Sequence, residues 1–183
     1  PGYLADFAVI DNFKDFNVEM VFKKGVLYWN NGELRDFEAP QIEEYLDKRA
    51  HDTFHVATLT PDDFRDTRQR GVLGMVPGEI ITTDNGYADH VDLEKDILKI
   101  AVVERHKGTH HIGLGYIQGY GLRSGAVATS ISHDSHNIIV VGTNSADMAF
   151  AANYIVEHHG GIVVVENGVV KGSVVLEIAG IMS

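Results

Sequence analysis

The chain has 183 residues, enough for one domain with its own core or for a domain plus an appendage, and 44% hydrophobic with 22% charged side chains is ordinary globular composition. Without cysteine it has no disulfides, thiolate zinc sites or cysteine nucleophile, and 26 acidic against 15 basic side chains, a formal net charge of -11, disfavour nucleic acid and anionic membranes as partners. No apolar run approaches the roughly 20 residues that span a bilayer, and residues 1–20 lack the basic and apolar regions of a signal peptide, so a cytoplasmic location is expected.

The opening Pro1-Gly2-Tyr3, with no methionine and a strand-like run directly after it, reads as a cut in a longer protein. Residues 5–10, 18–22 and 25–29 have strand character, with turns predicted at Lys23-Lys24-Gly25 and Asn30-Asn31-Gly32. Three short strands cannot cover both faces of their own sheet, so residues 1–36 read as part of a small β domain that needs a partner. Residues 37–50 read as linker and helix. Pro40 is placed in the first turn of an amphipathic stretch with Ile42, Tyr45 and Leu46 on one face and Glu43, Glu44, Asp47 and Lys48 on the other.

Residues 51–183 form the second predicted domain. Strands are expected at 54–59, 72–83 (bent at Pro77-Gly78), 97–103, 113–120, 126–131 and 138–141. Asn144 or Ser145 can cap a helix to about His158, with Met148, Ala151, Ala152 and Ile155 as its apolar stripe and Gly160-Gly161 as its stop. The chain ends as a hairpin, 162–166 and 169–178, around Asn167-Gly168. The predicted class is α+β, mostly β, layered, with few helices.

Several motifs fail on spacing. The glycines at 113, 115 and 119 have one residue too many between them for a dinucleotide fingerprint, Gly-Lys-Ser/Thr is absent, and His51-Asp52-Thr53-Phe54-His55 lacks the glutamate of a metalloprotease helix. The densest chemistry is Ser132-His133-Asp134-Ser135-His136-Asn137, six polar side chains between apolar strands. His133 and His136, three residues apart, can turn their rings to one side, with Asp134 fixing a tautomer. The bland alternative is that these short polar side chains satisfy backbone groups at a tight strand entrance, as Ser, Asp and Asn commonly do. The run is expected at the C-terminal side of the strand 126–131, with Asp134 or Asn137 bonding backbone amides. Glu104-Arg105-His106, closing the strand 97–103, delivers an acid, a fixed cation and a titratable ring together; its bland alternative is a solvated strand end.

Taken in order, Val-Glu-Arg-His (103–106), Ile-Gly-Leu-Gly (112–115), Gly-Tyr-Gly-Leu (119–122), the run from Gly125 to Asn144 and the terminal Ile-Ala-Gly-Ile-Met-Ser (178–183) resemble the C-terminal region of bacterial adenine deaminases of the amidohydrolase superfamily. The opening residues, followed by Val-Phe-Lys-Lys-Gly-Val-Leu, resemble the small β-sandwich domain by which amidohydrolases leave their barrel. The resemblance implies a parent enzyme that converts adenine and water to hypoxanthine and ammonia. It implies a divalent metal, manganese or iron, held in a (β/α)8 barrel by a His-X-His pair and further ligands, and a homo-oligomer. None of the ten histidines here forms a His-X-His pair, so this chain by itself is expected to hold no metal and to be inactive on adenine. The resemblance makes His133, Asp134 and His136 candidates for the parent's active site or domain interface, with Glu104, Arg105 and His106 nearby. The alternative is a purely structural or oligomerisation module of a metal-dependent hydrolase.

Overall fold

The computed structural model describes residues 2–36, 38 and 40–183; Pro1, Phe37 and Ala39 lie outside the described residues, and with them parts of the predicted cut and linker. The chain divides into two compact units, one up to Ile42 and one from Glu43 to Ser183. Among the described residues no helix is long and apolar enough to cross a membrane.

The first unit is an antiparallel meander of β1 (Phe7–Ile10), β2 (Val18–Lys23), β3 (Val26–Asn30) and β4 (Glu33–Leu34), paired in chain order. Both predicted turns carry the paired positive φ that a tight hairpin of right-handed twist requires: Lys24 (51°) with Gly25 (74°), and Asn31 (44°) with Gly32 (98°). Phe7 and Phe22 stack across β1 and β2 with ring centroids 4.7 Å apart. Phe7, Val18, Val26, Leu27 and Leu34 nevertheless remain exposed, as expected of a sheet too small to bury its apolar side chains. The two-residue β4 was too short to show any alternation in the sequence.

In the second unit the helix α1 (Glu44–His51) begins later than the sequence suggests. Pro40 is not in its first turn: the N-cap is Glu43 in extended conformation, and no residue of α1 is buried. The predicted strand 54–59 is also absent. Its alternation is real, since Phe54, Val56 and Leu59 turn to the core, but it comes from packing rather than from pairing in a ladder. The segment's backbone is satisfied singly, by His55 N–H to the Arg105 carbonyl and by the Asn153 side chain, which bonds both the N–H and the carbonyl of Leu59. A short 3-10 turn, Pro61–Phe64, follows, tied by Asp63 accepting from the Thr60 amide and hydroxyl.

The remaining strands are β5 (Arg70–Met75), β6 (Thr82–Ala88), β7 (Ile97–Val103), β8 (Ile112–Gln118), β9 (Ala126–Thr129), β10 (Ile138–Gly142), β11 (Gly161–Glu166) and β12 (Val169–Val175). They form one eight-stranded sheet in the order β12-β11-β9-β10-β7-β8-β5-β6, antiparallel except where β5 meets β8. The helix α2 (Ser145–Glu157), capped by the Asn144 side chain on the Asp147 amide, lies across β9, β10 and β11. Beneath it Ala126, Ala128, Ile138, Val140, Val163 and Val165 are all fully buried. The small Ala126 and Ala128 let the helix, itself rich in alanine at 149, 151 and 152, approach closely.

Asp147, buried in the first turn of α2, clips the final hairpin to the helix. It accepts from the amides of Asn167 (3.1 Å) and Gly168 (2.8 Å) and from the Asn144 side chain (2.8 Å). Burial alone pushes its pKa up, but these donors outweigh burial and hold it below the usual carboxylate value. Asp147→Ala should cost about 1–3 kcal/mol of unfolding free energy in a urea titration, because buried amides are left without an acceptor. A cost indistinguishable from that of an exposed substitution such as Lys171→Ala would contradict this role for the carboxylate.

Candidate functional site

The sheet register brings the two candidate motifs together. β10 runs antiparallel to both β9 and β7, with Ile138 opposite Val103, so the connection 130–137 emerges beside the Glu104-Arg105-His106 strand end. What ties them is Arg105. Its side chain is 2% exposed and donates from Nε to the His136 carbonyl, from Nη1 to the Thr53 carbonyl (2.9 Å) and hydroxyl (3.0 Å), and from Nη2 to the Ala179 carbonyl (2.9 Å). The guanidinium carbon lies 4.2 Å from the centroid of the Phe54 ring. Burial lowers the pKa of this group from its ordinary value, and every one of these acceptors is a neutral oxygen. One fixed cation thus joins three segments that are distant in sequence: the chain leaving α1, the polar loop and the C-terminal tail.

The tail is shaped to this arrangement. Gly180 has φ of +74°, and a Cβ there would lie 2.9 Å from the Phe54 ring and 3.1 Å from Arg105 Nη1. Ser130, fully buried, donates to the Gly180 carbonyl and accepts from the Gly161 amide at 2.8 Å, fastening the tail to the end of β9.

Glu104 organises its own loop. Its carboxylate accepts from the amides of His106 (2.6 Å) and Lys107 (2.9 Å) and from the Thr109 hydroxyl (2.8 Å). Desolvation opposes its ionisation, yet these donors together bring its pKa down from 4.5 to about 2. His106 reaches the polar loop as Arg105 does, with Nε2 2.8 Å from the Ser135 carbonyl.

Within the loop, the backbone is served by hydroxyls and by main-chain carbonyls, Ser135 doing what the bland reading asked of the run's short polar side chains. The Thr129 hydroxyl accepts from Ile131 N–H (3.0 Å), the Ser135 hydroxyl accepts from Asn137 N–H (3.3 Å), and the Ser132 carbonyl accepts from His136 N–H (2.5 Å). Neither Asp134 nor Asn137 bonds a backbone amide through its side chain, contrary to expectation, because nearby hydroxyls already fill that role. Asp134 instead pairs with His133 Nδ1, and these two side chains are 88% and 89% exposed. His136 is half-buried at φ 51°, with its ring centroid 6.5 Å from that of His133. Its Nδ1 and the Asn137 Oδ1 are buried with no hydrogen-bond partner among the described residues.

Among the described residues no three His, Asp or Glu side chains are grouped so that they could hold a metal ion, so the candidate site does not fit the metal that the resemblance implies. Thr53, Phe54, Ser130, Ala179 and Gly180 were not singled out as parts of the site by the sequence. Ser130 left one trace, as the polar third member of the inward-facing series Ala126, Ala128, Ser130.

Residues 78–183 match the family described as adenine deaminase C-terminal domain. The chain belongs to that family. Along its whole length it is 40% identical to an adenine deaminase of Petrotoga mobilis, 37% to one of Lysinibacillus sphaericus, and 37% to adenine deaminase 1 of Rhizobium etli. It spans about a third of the length of these curated relatives, 33% in each case. The family match takes in Arg105, the polar loop and the tail, but begins after Thr53 and Phe54.

Arg105→Met should lose at least about 2–3 kcal/mol in chemical unfolding, because several hydrogen bonds from a charged donor disappear at once, while His133→Ala and Asp134→Ala should stay within about 0.5 kcal/mol of wild type. Equal effects in the two sets would contradict the division between scaffold and display. Glu104 has a folded pKa below its unfolded value, so its contribution to stability is present above pH 4.5 and lost as pH falls toward about 2. The difference in melting temperature between wild type and Glu104→Gln should therefore shrink over that interval; a difference constant with pH would contradict it.

Proposed function

We propose that this chain is the C-terminal region of an enzyme that hydrolyses adenine to hypoxanthine and ammonia, and that the 130–137 loop is the part of it that serves the reaction. The observation that carries this reading is the separation of labour in the loop. Arg105, His106, Thr129 and Ser135 satisfy its main chain, while His133 and Asp134 contribute nothing to that task and stand in solvent, among the described residues paired polar atom to polar atom with each other alone. A polar pair that does no structural work on a loop held by a buried cation is suited to meeting something outside this chain.

The chemistry fits. Attack of water on the ring carbon releases protons, and the departing amine must gain one to leave as ammonia. In a His–Asp pair the carboxylate accepts the Nδ1 proton and fixes the tautomer, leaving Nε2 free to take up a proton and return it. We place the divalent metal, manganese or iron, in the portion of the relatives that this chain does not cover. We infer from the resemblance a cytoplasmic homo-oligomer acting on adenine, and the net charge of -11 disfavours nucleic acid and anionic membranes as partners. The second reading, a structural or oligomerisation module, is favoured by Arg105 and Glu104, whose bonds are wholly internal.

In the full-length enzyme, His133→Ala and Asp134→Asn should lower kcat by about 10²- to 10⁴-fold, the usual contribution of a positioned proton-transfer group, with melting temperature unchanged. The chain alone, supplied with manganese or iron, should release no ammonia from adenine above the buffer rate. Full-length variants with unaltered kcat and an unaltered pH profile would favour the structural reading.

A further inference from the structure

The central strands of the eight-stranded sheet are largely apolar on both faces, yet α2 covers only one. On β9, β10 and β11 the positions facing α2 are buried, and most alternate positions on these strands and on β7 are apolar too: Ile100 and Val102, Val127, Ile139 and Val141, Ile162 and Val164, with Thr129 and Glu166 as the polar exceptions. An antiparallel sheet with one face in water alternates apolar with polar residues; apolar residues on both faces mark a sheet covered on both. Here the second covering is partial. Val91, Tyr120 and Leu122 pack over Leu98, Ile117 and Val141, while Val102, Ile162 and Val164 remain 37–38% exposed.

The uncovered area is a groove rather than a plane. The connection from β5 to β6 rises beside the sheet and places Ile80 and Ile81, 103% and 63% exposed, along one side of a hollow of about 320 Å³ floored by Ile100, Val127, Ile139 and Val141. Charge in the lining is confined to Glu79. The apolar surface continues past the hollow onto Val102, Ile162 and Val164, farther than a small molecule seated in the hollow would reach. The shape asks for a convex apolar element, and the relatives carry about twice this chain's length again outside the matched region, the 33% coverage leaving two thirds unaccounted for.

We propose that this face is an intramolecular docking surface: in the full-length protein it is covered by an apolar helix or loop from the part of the polypeptide that this chain does not include. The inference rests on the reading of the chain as one region of a longer deaminase. Docking there would fix the sheet, and with it the loop between β9 and β10, against the rest of the enzyme.

Methionine oxidation tests this without a mutation. Met75 lines the groove and is 45% exposed, Met182 is 53% exposed and lies outside it, and Met148 is fully buried. With peroxide and peptide mass spectrometry, Met75 in this chain alone should oxidise at a rate near that of Met182, at every protein concentration. In the full-length protein it should slow several-fold toward the rate of Met148. An unchanged Met75 rate in a full-length protein that deaminates adenine overturns the docking surface and leaves the functional reading intact. Protection that grows with concentration in the chain alone overturns it in favour of a second copy. A full-length protein with no deaminase activity but a protected Met75 overturns the functional reading and keeps the surface. As a second measurement, Ile139→Lys should lower the melting temperature of the full-length protein by more than that of the chain alone; equal losses in both count against docking.

Discussion

The buried guanidinium of Arg105 is the interaction on which the candidate site depends. A cation removed from water needs its donors satisfied, and here the satisfying groups are carbonyls from three separate segments, so the cost of burial becomes a requirement that those segments meet. Thr53 fixes the chain as it leaves α1, Ala179 fixes the tail, and His136 fixes the polar loop. The Phe54 ring closes one side, and Gly180 is the residue type that leaves room for both. With no carboxylate among these acceptors, Arg105 acts as a geometric fastener rather than as half of an ion pair.

This division explains how one loop can be both rigid and chemically free. Loops that carry function need a scaffold, since a positioned group is worth more than a mobile one. The scaffold here is built from the buried Arg105 and Ser130 side chains and from the Glu104 carboxylate, which shapes the neighbouring turn. His133 and Asp134 are then available to face outward. The unpartnered His136 Nδ1 and Asn137 Oδ1 sit at the boundary between the two roles, where a group from elsewhere would complete their bonding.

Much of the fold was legible in the sequence because local signals and tertiary packing agree. β7 was read residue for residue; α2 with its Asn144 cap and the Asn167-Gly168 hairpin follow from period and turn chemistry that the final structure uses directly. The segment 54–59 was misread because alternation reports burial and not pairing: Phe54 and Val56 are inward, but among the described residues no strand pairs with them. Pro40 was placed in a helix that starts only after Glu43, since a proline permits a first turn without requiring one. At the site, Glu104, Arg105, His106, His133, Asp134 and His136 were all visible as chemistry-bearing residues, and their proximity follows from the pairing of β7 with β10. Their roles were not visible. Whether an arginine is a fastener or a binding group is decided by carbonyls of Thr53 and Ala179, and a carbonyl leaves no mark on the identity of its residue.

On the readings proposed above, the largely apolar second face of the central strands and the loop's outward pair both meet other parts of a longer protein, and the relatives are three times this chain's length. The most direct measurement is a crystal structure of the full-length enzyme with a purine analogue bound. The His133 or His136 ring should lie within hydrogen-bond reach of the purine or of the water poised to attack it. Both rings remote from the bound purine, with His133 and Asp134 still facing only solvent, would contradict the role assigned to the loop.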